Sequence, residues 1–89
     1  MTFHLCEGVE YIDNGDELYI FCPSGQVICL LEISKLIFEK IVNHFSINDV
    51  IHSIKAVYSD IPSEKILQED VFMCLNQLLE NNILTISEE

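Results

Sequence analysis

The chain has 89 residues, 49% of them hydrophobic, and it carries fifteen carboxylates against four Lys, no Arg and a formal net charge of -11. This length suits one small domain over residues 1–89, and the apolar fraction is sufficient to build its core. The acidic balance argues against binding to nucleic acid or to anionic membranes, and no apolar run approaches the roughly 20 residues that span a bilayer.

The start of the chain and its cysteines indicate the compartment. Met1-Thr2-Phe3-His4 lacks the basic residues and long apolar segment of a signal peptide, so we expect a cytoplasmic protein with reduced thiols. The cysteines are too scattered for paired zinc ligands, and the three His form no i,i+4 pair. We therefore expect no metal or other cofactor, and small buried thiols at Cys6, Cys22, Cys29 and Cys74.

Strand-prone segments open the chain. Phe3 to Ile12 is interrupted by Gly8, and Asp13-Asn14-Gly15-Asp16 follows with the Asn-Gly signature of a tight hairpin. Leu18 to Cys22 and Val27 to Leu31 are predicted as the second and third antiparallel strands. The third strand is nearly all apolar, whereas a strand with one solvated face alternates. We expect it to be covered on both faces or along its open edge.

The apolar period then changes to that of a helix. A first helix is predicted from one apolar face, with Phe38 and Val42 on its shoulder; the face is Ile33, Leu36, Ile37, Ile41 and Phe45. Ser46-Ile47-Asn48-Asp49 resembles a capping box with Asp in place of Glu, which predicts the start of a second helix. The apolar positions of that helix are Val50, Ile51, Ile54, Val57 and Tyr58.

The longest helix is predicted from Pro62-Ser63 to Asn81-Asn82. Ser63 can accept a hydrogen bond from the first turn, while Pro62 restricts Ile61 to an extended conformation. The double Asn suits a left-handed turn at the end. The apolar face expected in the core is Leu67, Val71, Cys74, Leu75, Leu78 and Leu79, and Ile83 to Ile86 is expected to fold back and close that core.

A second stripe of this helix mixes apolar and polar side chains along one flank of the core face. It consists of Ile66, Asp70, Met73 and Gln77. Asp70 would be costly beside the apolar face if it were unpaired, although a partly exposed helix position is an equal alternative. A mixed flank of this kind is suited to binding.

Catalysis is not expected. A nucleophile needs a neighbouring base and an oxyanion donor, and dispersed His residues without a Gly-rich elbow do not supply them. The carboxylates are expected to lie mostly on solvated faces.

Three passages resemble the PqqD-like family, the leader-recognition domains of ribosomal peptide-modification pathways. Leu30-Leu31-Glu32-Ile33-Ser34 with Leu36-Ile37-Phe38-Glu39 is similar to its L-L-N-x-T-x-x-x-I-W-E passage. Ser46 to Val50 is similar to its T-v-e-e-I. Glu69-Asp70-Val71, continued by Leu75, Leu78 and Ile83-Leu84, is similar to D-V-x-x-F-L-x-x-L-x-x-x-G-L. The resemblance runs from about Tyr19 to Ile86, mainly in the apolar pattern.

The sequence departs from this pattern at four positions. Glu32 replaces the usual Asn, Phe38 replaces Trp, and Asn43 and Asn82 stand where Gly is common. Asn adopts the turn conformations of Gly more readily than other residues with a Cβ, so the two loop changes are compatible with the fold. The change at Glu32 affects the expected start of the first helix.

The resemblance implies an α+β, winged helix-turn-helix-like fold with three N-terminal antiparallel strands followed by three helices, the order predicted from the residues themselves. It implies binding without turnover: capture of the leader of a ribosomally synthesised precursor peptide, as in lasso-peptide or pyrroloquinoline quinone pathways. A separate protease, cyclase or radical enzyme would modify the peptide. The domain itself is expected to be a monomer or weak homodimer.

Strand addition gives this capture a physical form, because the open edge of the third strand offers main-chain groups to an extended peptide. The mixed flank of the long helix would be the opposite wall. The expected peptide-binding residues are Val27, Ile28, Cys29, Leu30, Leu31, Ile66, Asp70, Met73 and Gln77.

Two alternatives remain open. A winged-helix DNA-binding domain shares the topology, although Lys65 is the only base on the long helix and phosphates need more. An acidic protein–protein adaptor without a peptide ligand would share the exposed strand edge. A ligand experiment distinguishes them.

Overall fold

The computed structural model describes residues 2–58 and 63–87. Its elements follow in the order β1 (Thr2–Leu5), β2 (Glu10–Asp13), β3 (Glu17–Phe21), β4 (Val27–Leu31), α1 (Glu32–Val42), α2 (Ile47–Val57), α3 (Glu64–Glu80) and β5 (Leu84–Ser87). The predicted α+β fold is confirmed: an antiparallel sheet in the order β2-β3-β4 precedes three helices. No helix in the described ranges is long and apolar enough to cross a bilayer.

The first predicted strand is divided in two. Gly8, with φ 85°, turns the chain between β1 and β2, and a Cβ at this position would lie 2.9 Å from the Cγ of Pro23. Only β2 joins the β3–β4 hairpin. β1 pairs instead with β5, from Thr2 opposite Ser87 to Leu5 opposite Leu84. The prediction that the tail folds back is therefore confirmed, and the tail closes a second sheet.

Side-chain caps begin α2 and α3 as predicted. Ser46 Oγ accepts from the Asp49 N–H at 3.1 Å, and an Asp49 carboxylate oxygen accepts from the Ser46 N–H at 3.3 Å. Ser63 Oγ accepts from the Ile66 N–H at 3.5 Å, and Asn82 follows α3 with φ 58°. The expectations for Ile61 and Pro62 lie outside the described residues.

The end of α1 differs from the expectation. Asn43 has an ordinary φ of -93°, and its side-chain amide donates to the Glu39 carbonyl at 2.7 Å. The left-handed residue is His44, with φ 66°, whose N–H donates to the Ile41 carbonyl at 3.0 Å. Asn43 therefore caps the helix with its side chain, and the turn that Gly commonly makes falls one residue later.

All three helices and the sheet contribute to one apolar core. Its members are Val9, Leu18, Ile20, Leu30, Ile37, Phe38, Ile41, Val50, Ile51, Ile54, Leu67, Val71, Leu75, Leu78, Ile83 and Leu84. Phe38, predicted on the shoulder of α1, is fully buried and meets the ring of Tyr11 edge-on at 5.1 Å. Phe45, predicted on the buried face, is exposed because α1 ends at Val42; Lys40 Nζ lies 4.7 Å from its ring centre.

Lys35 connects α1 to the turn between β2 and β3. Its Nζ lies 3.1 Å from Asp13 Oδ1 and 3.4 Å from Glu39 Oε1, and it donates to the Gly15 carbonyl. The hydrogen bond from Lys35 lowers the pKa of Asp13, and the same bond raises the pKa of Lys35. The three-stranded sheet is thereby tied to the first helix at the end opposite the β3–β4 turn.

Glu32 joins β4 to α1 in a left-handed conformation, with φ 49°. For an L-residue with an ordinary side chain this region costs about 1–2 kcal/mol, whereas Asn tolerates it better. The Asn usual at this position in the PqqD-like pattern therefore has a conformational reason, and Glu32 carries a strain that the surrounding structure offsets.

We expect Glu32→Asn to raise the free energy of unfolding by about 0.5–1 kcal/mol, because Asn relieves part of the left-handed strain. Urea denaturation followed by circular dichroism measures the change. Glu32→Gln is the matched control, since it removes the same charge without favouring positive φ. Equal stability of the Asn and Gln variants would contradict the explanation.

Candidate functional site

β4 is an edge strand. It pairs antiparallel with β3, from Val27 opposite Phe21 to Leu31 opposite Glu17, and no strand in the described part of the chain covers its other edge. An edge strand leaves alternate main-chain N–H and C=O groups unpaired. The residues that carry those groups are the β4 members of the non-hydrogen-bonded pairs with β3.

The turn between β3 and β4 shows which pairs are hydrogen-bonded. The Cys22 N–H donates to the Gln26 carbonyl at 2.9 Å, so this pair, which continues the strand register, is hydrogen-bonded. Hydrogen-bonded and non-hydrogen-bonded pairs alternate along an antiparallel ladder. Ile28 and Leu30 therefore exchange hydrogen bonds with β3. The main-chain groups of Val27, Cys29 and Leu31 point toward the open edge.

The open edge is short. At its far end Ser34 Oγ accepts from the Leu31 N–H at 3.3 Å and donates to the Leu31 carbonyl at 2.8 Å. The capping side chain of α1 thus occupies both outward groups of Leu31. Among the described residues, the groups that remain for a partner are the N–H and C=O of Val27 and of Cys29.

The side chains of β4 divide between two faces. Leu30 is buried and Ile28 half-buried against the core, whereas Val27, Cys29 and Leu31 are exposed on the outer face. Neighbouring strands extend this outer face with further apolar side chains, Ile12, Tyr19 and Phe21. The expectation that β4 is covered on both faces or along its open edge is wrong for the described residues, because no element among them packs on the outer face and no strand pairs with the open edge. The expectation of a buried thiol is also wrong for Cys29.

A carboxylate lies within this outer face. Glu17 Oε2 accepts from the Tyr19 hydroxyl and from the Cys29 thiol, whose Sγ lies 3.4 Å away. The bond from Tyr19, and then that from Cys29, lowers the pKa of Glu17. Partial desolvation by neighbouring side chains, followed by the bond to Glu17, raises the pKa of Cys29. The thiol therefore stays protonated and is a poor nucleophile.

Sequence reasoning missed Glu17 and Tyr19 as site residues. The available signal was the hairpin register, because alternation in two antiparallel strands places Glu17 beside Leu31 and Tyr19 beside Cys29.

The predicted flank of α3 forms one exposed ridge. Ile66 and Met73 are 47% and 60% exposed, and Asp70 and Gln77 are also on the surface. The exposure of Asp70 removes the desolvation cost that a buried carboxylate would carry. Beside the ridge is a shallow depression of about 530 Å³ lined by Glu69, Phe72, Met73, Asn76, Gln77 and Glu80.

The β4 and α3 residues are not in direct contact in the described structure. No Cα of β4 lies within 8 Å of a Cα of α3, whereas α1 packs against both elements. No cavity among those found is lined by residues of both. An added strand would lie about 4.8 Å from β4. Because no Cα of α3 lies within 8 Å of β4, the α3 backbone does not occupy that place.

The opposite flank of α3 borders a different cleft, of about 560 Å³, between β1 and the adjoining ends of α1 and α2. Its apolar lining includes Phe3, Phe45, Ile47 and Phe72. No sequence pattern predicted this cleft, because its walls are distant along the chain. The described residues contain no group of three or more His, Cys, Asp or Glu placed to hold a metal ion.

No protein-family model matches the chain. No curated protein sequence matches it. Among solved structures the fold is similar to that of TbiB1 in complex with the TbiA(beta) leader peptide, with a TM-score of 0.84 and 17% identity over 100% of both chains. At this level of identity the likeness establishes the fold along the whole length of the two chains.

Proposed function

We propose that this domain binds the leader region of a ribosomally synthesised precursor peptide by strand addition at β4. The observation that carries the proposal is the pair of outward-facing residues, Val27 and Cys29, whose main-chain groups are unpaired among the described residues. The similar TbiB1 structure holds a leader peptide, which supports the same class of ligand here.

Main-chain pairing supplies affinity that depends little on sequence, and side-chain contacts supply the selectivity for one leader over another. Two N–H and two C=O groups allow up to four bonds with an extended peptide, each contributing about 0.5–1.5 kcal/mol. Exposed Val27 and Leu31 flank these groups and add apolar area that the peptide covers. Ser34 closes the edge at Leu31, so the paired segment is only a few residues long.

The ridge of α3 is the proposed opposite wall. Met73 adapts its shape to an apolar side chain, and Asp70 accepts from a peptide N–H or a basic group. The remainder of the leader would cross from the β4 edge to this ridge.

The proposed role is presentation in the cytoplasm to a separate protease, cyclase or radical enzyme. In the described residues the one exposed thiol, Cys29, is held protonated, and its hydrogen bond goes to the Glu17 carboxylate and not to a His. Binding and chemistry would therefore belong to different proteins.

The charge distribution disfavours the DNA-binding alternative. α3 contains one base, Lys65, against carboxylates at Glu64, Glu69, Asp70 and Glu80. Phosphate neutralisation needs several bases on one surface. The acidic adaptor shares the open edge, and a peptide titration separates it from a leader-binding domain.

A synthetic leader, taken from the precursor encoded beside this chain's gene, should bind one-to-one in calorimetry without a cofactor. A scrambled leader of equal composition is the control and should bind at least about tenfold more weakly, a difference of about 1.4 kcal/mol. Absence of heat at high micromolar leader would leave the adaptor as the better account.

Cys29→Pro should weaken leader binding about tenfold while the domain stays folded. Proline removes an outward N–H and its ring obstructs the added strand, but the ladder bonds of Ile28 and Leu30 to β3 remain. Val27→Ala should cost less, because it removes side-chain area and leaves every main-chain group. Cys29→Ala controls for the lost thiol, and a Cys29→Pro variant that folded and bound like it would exclude pairing at this edge.

Met73→Glu should weaken leader binding about fivefold, through lost apolar contact and a second carboxylate beside Asp70. Asp70→Ala should weaken it less. Gln68→Glu adds the same charge on the opposite flank of α3 and should leave affinity unchanged. Full affinity of folded Met73→Glu and Asp70→Ala, with circular dichroism like that of the parent, would place the opposite wall elsewhere.

A further inference from the structure

We infer that Glu17 selects a cationic side chain, Lys or Arg, on the bound leader at the position opposite Cys29. The inference rests on the proposed strand addition and adds the class of peptide that the edge accepts: a basic residue with an apolar residue two positions away on each side.

The position of the carboxylate follows from the register. Glu17 lies on β3 opposite Leu31, yet its Oε2 reaches to 3.4 Å from the Sγ of Cys29. The side chain therefore leans along the outer face toward the middle of β4. On this face Glu17 is the carboxylate that lies next to an edge residue, Cys29.

An added strand would place one side chain beside this carboxylate. The main-chain groups of Cys29 face the open edge. A peptide that adds antiparallel to β4 therefore places one residue directly opposite Cys29, in a hydrogen-bonded pair at a Cα separation of about 5.5 Å. Its side chain then lies on the same outer face as the Cys29 thiol. From there only a long side chain passes the thiol to reach Glu17, and Lys and Arg carry charged groups on such stems.

The surroundings of Glu17 favour a positive partner. Both recorded hydrogen bonds go to Oε2, which leaves Oε1 free of partners among the described residues. Hydrogen bonding lowers the pKa of the carboxyl group, so it is ionised at neutral pH.

The two lysines that form ion pairs in the described structure bind carboxylates other than Glu17. Lys35 pairs with Asp13 and Glu39, and Lys55 pairs with Glu64. None of the ion pairs found within residues 2–58 and 63–87 involves Glu17. A cation from the peptide would therefore meet a carboxylate that is not already neutralised by one of these pairs.

The neighbours of Cys29 define the flanking positions. Val27 and Leu31 are 55% and 51% exposed on the same face, two residues to each side of Cys29. On one side, the peptide residue two positions from the cation lies opposite Val27. On the other side Ser34 occupies the main-chain groups of Leu31, so the peptide residue gains apolar contact only with the exposed Leu31 side chain.

Glu10 provides a matched control. It is exposed on the outer face of β2, opposite Phe21, which in turn lies opposite Val27. It has the same charge as Glu17 but is a full strand farther from the edge, beyond the reach of a peptide side chain paired with β4.

The test uses a positional-scanning library of synthetic 11-residue peptides, with affinity measured by fluorescence polarisation. The parent chain should prefer Lys or Arg at one position and apolar residues two positions to either side. Glu17→Gln should reduce the cation preference about threefold to fivefold, as expected for a partly exposed ion pair, and Glu10→Gln should retain it. Glu17→Lys should turn the preference toward Asp and Glu.

The outcomes separate the two proposals. Peptide binding with no cation preference, or with a preference that Glu17→Gln and Glu17→Lys leave unchanged, would overturn the role of Glu17 while strand addition stands. Failure of every peptide to bind the parent chain would overturn the proposed function together with this inference. Circular dichroism of each variant confirms that the sheet is intact.

Discussion

The alternating geometry of β4 divides its main-chain groups between β3 on one side and the open edge on the other. Ile28 and Leu30 bond to β3 and direct their side chains to the core, which fixes the strand in place. Val27 and Cys29 direct their main-chain groups away from the sheet. Because Ile28 and Leu30 hold the strand, the outward groups of Val27 and Cys29 would pair with the proposed peptide without a folding cost.

The junction with α1 limits this edge. Ser34 occupies the outward groups of Leu31, and Glu32 turns the chain at a positive φ directly afterwards. The strained turn ends the strand, starts the helix and closes the edge after Cys29. Lys35, in the next turn of α1, then ties the helix back to the β2–β3 turn. The edge is therefore held by the core behind it and by a helix at its end.

Local patterns predicted much of the fold. The Ser63 cap and the double Asn placed α3 within a residue or two, and its 3.6-residue period identified the buried side chains Leu67, Val71 and Leu75. Gly8 indicated the interruption of the first strand. The pairing of β1 with β5 connects the two ends of the described chain, so no local pattern encodes that the two halves join different sheets. Periodicity alone likewise did not place Phe38 at the centre, because its burial depends on Tyr11 from another element.

The sequence predicted the two separate parts of the candidate site, β4 and the α3 ridge. The apolar run identified β4, and helical spacing identified the α3 ridge. The outward-facing pair within β4 depends on the phase of the hydrogen-bond ladder, which the Cys22–Gln26 bond sets and composition does not show. The place of Glu17 depends on register with a second strand. Neither pattern determines the distance between β4 and α3, since that distance is set by how α1 packs against both.

Amide hydrogen exchange, followed residue by residue by NMR, tests strand addition most directly. In the free domain the amides of Ile28 and Leu30 should be protected and those of Val27 and Cys29 should exchange quickly, since only the first pair bonds to β3. A saturating leader peptide should protect Val27 and Cys29 and leave the other pair unchanged. Continued fast exchange at Val27 and Cys29, with protection appearing elsewhere in the domain, would contradict peptide pairing at this edge.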